Sequence, residues 1–215
     1  KEVDLSTSRG STEDKINLNV KVEEAPTGSL SFGFGYSTLE GVVGNVTLSD
    51  RNLFGLGYSA SVKVSLGTET NNFRLSFTDP YFLGYPVSAG IDVYHETVGY
   101  FDTYSYKITG GDVRFGKELT ETIRIDAAYK LERVNIYDVK WDAPVDVQLQ
   151  QGKSTTSAIT LLPSIDTRDD YYNPRNGTKS GILIQYAGGF LGGTNDFVKF
   201  MGQTSWFFPL PLKTT

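Results

Sequence analysis

His95 is the single histidine of this 215-residue chain, and cysteine is absent. Thiol nucleophiles, disulfides and thiolate zinc sites are therefore excluded, and nucleophilic catalysis assisted by histidine would have to run through His95 beside an activated hydroxyl. His95 shares parity with Val87, Ala89, Ile91 and Val93, which places it on an apolar face near a strand end. That position favours an interfacial ring over a catalytic one. The carboxylates offer little more. Asp169 and Asp170 stand beside Arg168 at a turn, and Asp138, Asp142 and Asp146 share the longest connection. Glycoside chemistry needs two convergent carboxyls in a cleft, and spacing of four in a loop does not supply them. A solvated loop is favoured there over a Ca²⁺ site. Gly33, Gly35, Gly55 and Gly57 precede no helix that could receive a phosphate. No catalytic residue, cofactor or metal is expected.

The elements that would position these residues are strands. Leu30, Phe32, Phe34 and Tyr36 alternate with Ser29, Ser31, Gly33 and Gly35. Ala60, Val62, Val64 and Leu66 alternate with serines and Lys63; Phe73, Leu75 and Phe77 with Asn72, Arg74 and Ser76; Ile91 and Val93 with Asp92 and Tyr94; Ile123, Ile125, Ala127, Tyr129 and Leu131 with Arg124, Asp126, Ala128 and Lys130. Period-2 patterning of this kind predicts ten strands over 28–36, 41–50, 57–67, 71–79, 86–96, 103–116, 121–134, 155–167, 178–188 and 196–208. A change of parity near Gly110 and Gly111 predicts a bulge in the sixth. A soluble sandwich also alternates. Strands of about nine to fourteen residues, a face rich in Ser, Thr, Gly and charge, and aromatic residues at strand ends favour a membrane barrel. The chain has 13 Tyr, 13 Phe and 23 Gly, and no apolar run long enough for a membrane-spanning helix. Its 20 basic and 25 acidic residues give a net charge of -5 with no basic face, so no nucleic-acid partner is expected.

The connections fall into two alternating classes, as antiparallel neighbours require. One class holds Asn52, Leu53, Phe54 and Gly55; Asp79, Pro80 and Tyr81 through Gly84; 117–120; Asn173, Pro174 and Gly177 with the residues between; and 209–211. The other holds 37–40, 67–70, 97–102, the long 135–154 and 189–195. The long connection marks its rim as extracellular in an outer-membrane barrel and the first class as periplasmic turns. Residues 1–25 differ in kind. A short strand over 3–6, a charged turn and the alternating Ile16, Leu18, Val20 and Val22 look like the last two strands of a small soluble module, closed at Pro26. Lys1-Glu2-Val3-Asp4 reads as the interior of a longer chain.

Residues 13–28, with a Val-Lys-Val-Glu close before Gly28, resemble the end of the last POTRA domain in the BamA family of outer-membrane assembly factors. Gly28 to Gly41, enclosing Phe34-Gly35-Tyr36, is similar to that family's first barrel strand and hairpin. Asp50-Arg51-Asn52-Leu53-Phe54-Gly55-Leu56-Gly57, Thr78-Asp79-Pro80-Tyr81-Phe82 and Tyr172-Asn173-Pro174-Arg175-Asn176-Gly177 follow in family order.

The resemblance implies an all-β protein. An antiparallel transmembrane barrel, with about ten strands present of an expected sixteen, would occupy 26–215, preceded over 1–25 by the C-terminal strands of a periplasmic POTRA domain. It further implies assembly and insertion of barrel proteins into the bacterial outer membrane. Expected partners are unfolded outer-membrane clients, outer-membrane lipids, accessory assembly lipoproteins and periplasmic chaperones. Gly28, Leu30, Ser31, Phe32, Gly33, Phe34, Gly35 and Tyr36 would form the first strand of a lateral gate. The family's Val-Arg-Gly-Phe motif is not present in these residues. A closed ten-stranded barrel, a two-partner secretion or TamA-like pore, a passive porin and an outer-membrane hydrolase remain as alternatives.

Overall fold

The computed structural model describes residues 2–12, 15–23, 25–37, 41–100 and 103–209. The expected connections over 38–40, 101–102 and 210–211 lie outside the described residues. Two strands, β1 (Glu2–Arg9) and β2 (Ile16–Glu23), pair as an antiparallel ribbon. Leu5 and Val20 share one of its faces, while Asp4 and Lys21 share the other. The alternation read over 16–22 is therefore a real two-faced strand, and β1 extends beyond the short strand expected over 3–6.

All ten further strands predicted from periodicity form: β3 (Gly28–Ser37), β4 (Gly41–Leu53), β5 (Tyr58–Gly67), β6 (Thr70–Asp79), β7 (Ser88–Tyr100), β8 (Tyr104–Glu118), β9 (Ile123–Tyr137), β10 (Gly152–Asp166), β11 (Gly177–Ala187) and β12 (Phe197–Phe207). They make one antiparallel sheet in strict sequence order, from β3 at one edge to β12 at the other. Among the described residues no ladder joins β3 to β12, so the sheet is an open partial barrel wall and not a closed ten-stranded barrel.

One face is sheltered and the other open. On β7, Asp92, Tyr94 and Val98 are buried, whereas Ile91 and Val93 on the alternate parity are nearly half exposed. The apolar sets of the alternating strands lie together on the open face. Ala60 opposes Phe77, Val62 opposes Leu75, and Val64 opposes Phe73; Leu75 then opposes Val93, and Phe77 opposes Ile91. The sheltered face carries the row Ser29, Ser49, Ser61, Ser76, Asp92, Asp112 and Lys130.

Two expectations need correction. The register of β8 with both neighbours is unbroken through Gly110 and Gly111, so no bulge forms there. Its change of parity has another cause. Tyr106 and Ile108 turn to the sheltered face, leaving Lys107 and Thr109 outside, where the strand rises past the apolar band. β9 repeats this, with Val134 and Ile136 sheltered and Arg133 and Asn135 outside. The bulge sits instead in β4, between Asp50 and Leu53. The long connection is also shorter than expected: β9 continues to Tyr137, β10 begins at Gly152, and the segment between holds a one-turn helix, α1 (Val145–Leu149). Gln148 Nε2 donates to the carbonyls of Trp141 and Ala143, folding this connection onto itself.

The upper part of β10 extends beyond β11, and its exposed ladder edge is closed by the following loop. Thr156 bridges Gly193, and Thr194 N donates to Thr155 O at 2.8 Å. An unpaired edge is thereby satisfied locally.

Candidate functional site: a bare sheet edge and the turns beneath it

β3 is the edge strand proposed from sequence as a gate. Its residues keep the expected parity, with Leu30 opposing Leu48 and Phe32 opposing Val46 on the open face, and Ser29, Ser31, Gly33 and Gly35 on the sheltered one. Phe34 and Tyr36 are 88% and 76% exposed. Side-chain bonding across this pair is sparse: Ser29 and Ser49 share a hydroxyl contact of 2.8 Å. A Cβ added at Gly35 would meet nothing within 4 Å, and at Gly33 it would meet Asn45 at ordinary van der Waals distance. Relief of crowding therefore does not explain either glycine. β3 is the first strand of the described sheet and pairs with β4.

The turn residues sit on the rim from which β3 rises. Three of the turns carry an aspartate near the strand end that accepts an amide two residues on: Asp50 from Asn52 at 2.8 Å, Asp79 from Tyr81 at 2.9 Å, and Asp166 from Arg168 at 3.2 Å. Short aspartate side chains favour this turn geometry. Asn52 and Leu53 are the last residues of β4, and their carbonyls accept the turn amides of Gly55 and Leu56 at 2.9 and 3.2 Å; Asp79 ends β6 and Gly177 opens β11. Asn52 Oδ1 accepts from Gly57 N at 2.7 Å, closing the first turn. Pro80 lies between Asp79 and Tyr81, and Pro174 lies in the turn before Gly177.

Two turns share a conformation that the sequence does not announce. Phe54 and Leu83 have φ of 58° and 55°, each followed by a left-handed glycine, Gly55 or Gly84. Bulky side chains at positive φ are outliers. Both point away from the protein, 85% and 78% exposed. In the third turn, Asp169 accepts from the amides of Asn176 and Arg175, and Asp170 from those of Asn173 and Tyr172, which holds both carboxyls below the usual carboxylate range. Arg168 grips Asp166 at 2.6 Å and covers the Tyr171 ring at 4.8 Å. These acids are turn-formers and do not converge on a cleft.

The centre of the sheet holds what sequence reasoning missed. Arg114 bridges Asp92 at 2.7 Å and approaches Asp112 at 3.1 Å, without a well-aligned hydrogen bond to the latter. Tyr94 donates to Glu132 at 2.7 Å, Glu132 pairs with Lys130 at 3.2 Å, and Arg74 stacks over Tyr94 at 4.7 Å. The available signal was cross-strand register: these polar positions all share the sheltered parity. His95 is exposed on the other face, 2.7 Å from Thr109 Oγ1 and away from this network.

Comparison with known proteins matches residues 52–214 to the Omp85 superfamily domain. The chain belongs to the Omp85 superfamily. Within it, the chain is 34% identical over 92% of its length to the outer membrane protein assembly factor BamA of Nitratidesulfovibrio vulgaris. It is 31% identical over 93% of its length to BamA of Neisseria meningitidis serogroup B. It spans 25% and 27% of those two proteins. The crystal structure of BamA from Haemophilus ducreyi lacking POTRA domains 1-3 superposes with a TM-score of 0.67 at 21% identity, over 96% of this chain and 42% of that one. Omp85 membership and the open face of alternating apolar strands place the chain in the bacterial outer membrane.

Proposed function

We propose that this chain supplies the gate-side wall of a machine that assembles and inserts β-barrel proteins into the bacterial outer membrane. The carrying observation is β3: a strand with small residues on one face, no charged side chain and, among the described residues, a single side-chain hydroxyl contact to hold it to β4. When the seam beside it parts, an incoming client strand pairs with its main-chain groups by β-augmentation. No nucleotide is needed, because the client gains free energy by pairing its backbone and burying its apolar band in lipid. The protein's named relatives support the reading, since they are assembly factors.

In this account residues 1–25 close a periplasmic POTRA domain, and the turns around Phe54, Leu83 and Tyr172 face the periplasm. Clients arrive there with chaperones, and accessory lipoproteins dock on that side. Cysteine labelling at Lys140 in intact cells checks the polarity; labelling only after the outer membrane is breached reverses it.

The functional test is a disulfide across the seam. In the full-length protein, Ser31→Cys is paired with a cysteine on the opposing terminal strand. Oxidation is expected to stall client insertion into liposomes, and reduction to restore it. Full activity with the disulfide verified in a heat-modifiable, folded barrel would show that β3 closes the wall and templates nothing.

A further inference from the structure

The open face changes character along its own hydrogen-bonded rows. Phe32, Val46, Val64 and Phe73 continue into His95, Thr109, Arg133 and Thr155. Phe34, Gly44 and Leu66 continue into Asn71, Thr97, Lys107, Asn135 and Lys153. The row below stays apolar further, through Leu75, Val93 and Leu131. This stepped boundary is what tilted strands crossing a flat lipid band produce. Lys107, Arg133 and Lys153 therefore sit on the outer surface immediately above the hydrocarbon edge.

These three exposed cations surround Asn135. Lys107 and Lys153 flank it on neighbouring strands about 4.8 Å away, and Arg133 is about 7 Å along β9. Lys107 rests over the Tyr137 ring at 5.1 Å. Among the described residues none of the three makes an ion pair, whereas Arg114, Arg124 and Lys130 on the sheltered face are paired, beside Lys63 and Arg74, which are not. The acids nearest in register, Glu96 and Glu132, point to the sheltered face. A chain with net charge -5 has thus gathered unpaired positive charge where the lipid headgroups begin.

We propose that Lys107, Arg133 and Lys153, with Asn135 and Thr109, bind the phosphate-bearing headgroup of a membrane lipid whose acyl chains lie along the apolar rows beneath. The site rests on the outer-membrane placement and adds a defined lipid partner to the function above; it does not require the seam to open.

The test uses the full-length protein in detergent micelles and fluorescent bisphosphorylated lipid A as the probe. Lys107→Gln/Arg133→Gln/Lys153→Gln is expected to weaken binding about fivefold per cation and on the order of 100-fold in all. Lys107→Arg/Lys153→Arg retains it. Dephosphorylated lipid A should compete poorly, and millimolar inorganic phosphate should not displace the probe. Equal binding by the triple variant, or equal competition by dephosphorylated lipid, overturns the site; displacement by inorganic phosphate makes it a free-anion site. Heat-modifiable migration reports folding, and if the triple variant does not fold, Arg133→Gln alone decides by its fivefold loss. Client insertion by the same variant into liposomes without phosphorylated glycolipid should be unchanged, so failure of this site and failure of the insertion function are read separately.

Discussion

β3 and the β7–β9 centre are built on the same antiparallel ladder but are held in opposite ways. β3 carries no Asp, Glu, Lys or Arg. Its sheltered face offers two serines and two glycines to β4. In the centre, the corresponding face carries Asp92, Asp112, Arg114, Lys130 and Glu132; the Arg114–Asp92 bridge ties β8 to β7, and the Tyr94–Glu132 hydrogen bond ties β7 to β9. Asp92 and Asp112 oppose each other directly, an arrangement of like charge that Arg114 bridges and Lys130, opposite Asp112, helps to offset. A wall that must stay closed can use such interlocked charges. A seam that must part cannot, because breaking them would leave buried ions unpaired.

The contrast is tested first where the effect is largest. Leu75→Arg, on the open face mid-band, should cost about 2–4 kcal/mol, against far less for Ser76→Arg on the opposite face; urea unfolding from lipid vesicles measures both. Equal losses would mean that the faces are assigned backwards. Arg114→Ala comes next. It strands Asp92, whose side chain is only 10% exposed, and is expected to cost about 1–3 kcal/mol, discounted because Arg114 itself is 44% exposed. Ser49→Ala, which removes the hydroxyl pair at β3, should cost about 1 kcal/mol or less. If the serine change were the more damaging, the edge would not be the weaker region.

Much of this was legible from the chain. Ten strands could be located because each half-buried strand must alternate, and the open face followed from the same parity. The misreadings arose where that rule changes meaning. At Tyr106 and Ile108 the apolar residues swap faces because the strand has left the lipid, which looks in sequence like a bulge. The true bulge at 50–53 involves Asp50, Arg51 and Asn52, whose polarity resembles an ordinary turn. The gate residues were read from resemblance and position; the open space at Gly35 needed coordinates. The Asp92–Arg114–Asp112 bridge depends on exact cross-strand register, which alternation alone does not fix.

Smaller effects should appear at the turns and at the edge itself. The Asp169 and Asp170 carboxyls are held below their ordinary value by backbone amides, so their support is complete above about pH 3.9 and is lost as pH falls through the lower folded values. Amide protection in the 169–177 turn, measured against the intrinsic exchange rate at each pH, should therefore fall at low pH, and Asp169→Ala should lower it already at neutral pH. Gly35→Val should leave folding nearly unchanged, since the new side chain meets open space. A large loss of stability would show that the glycine is needed for the wall and not for movement at the seam.

The central claim, that β3 is held loosely while the centre is locked, is tested most directly by amide hydrogen exchange of the full-length protein in lipid nanodiscs. The amides of residues 29–36 that point away from β4 are predicted to exchange on the order of 100-fold or more faster than those of 108–114 in β8. Equal protection in the two segments would contradict the account, because an edge that opens no more often than the centre cannot offer its backbone to a client.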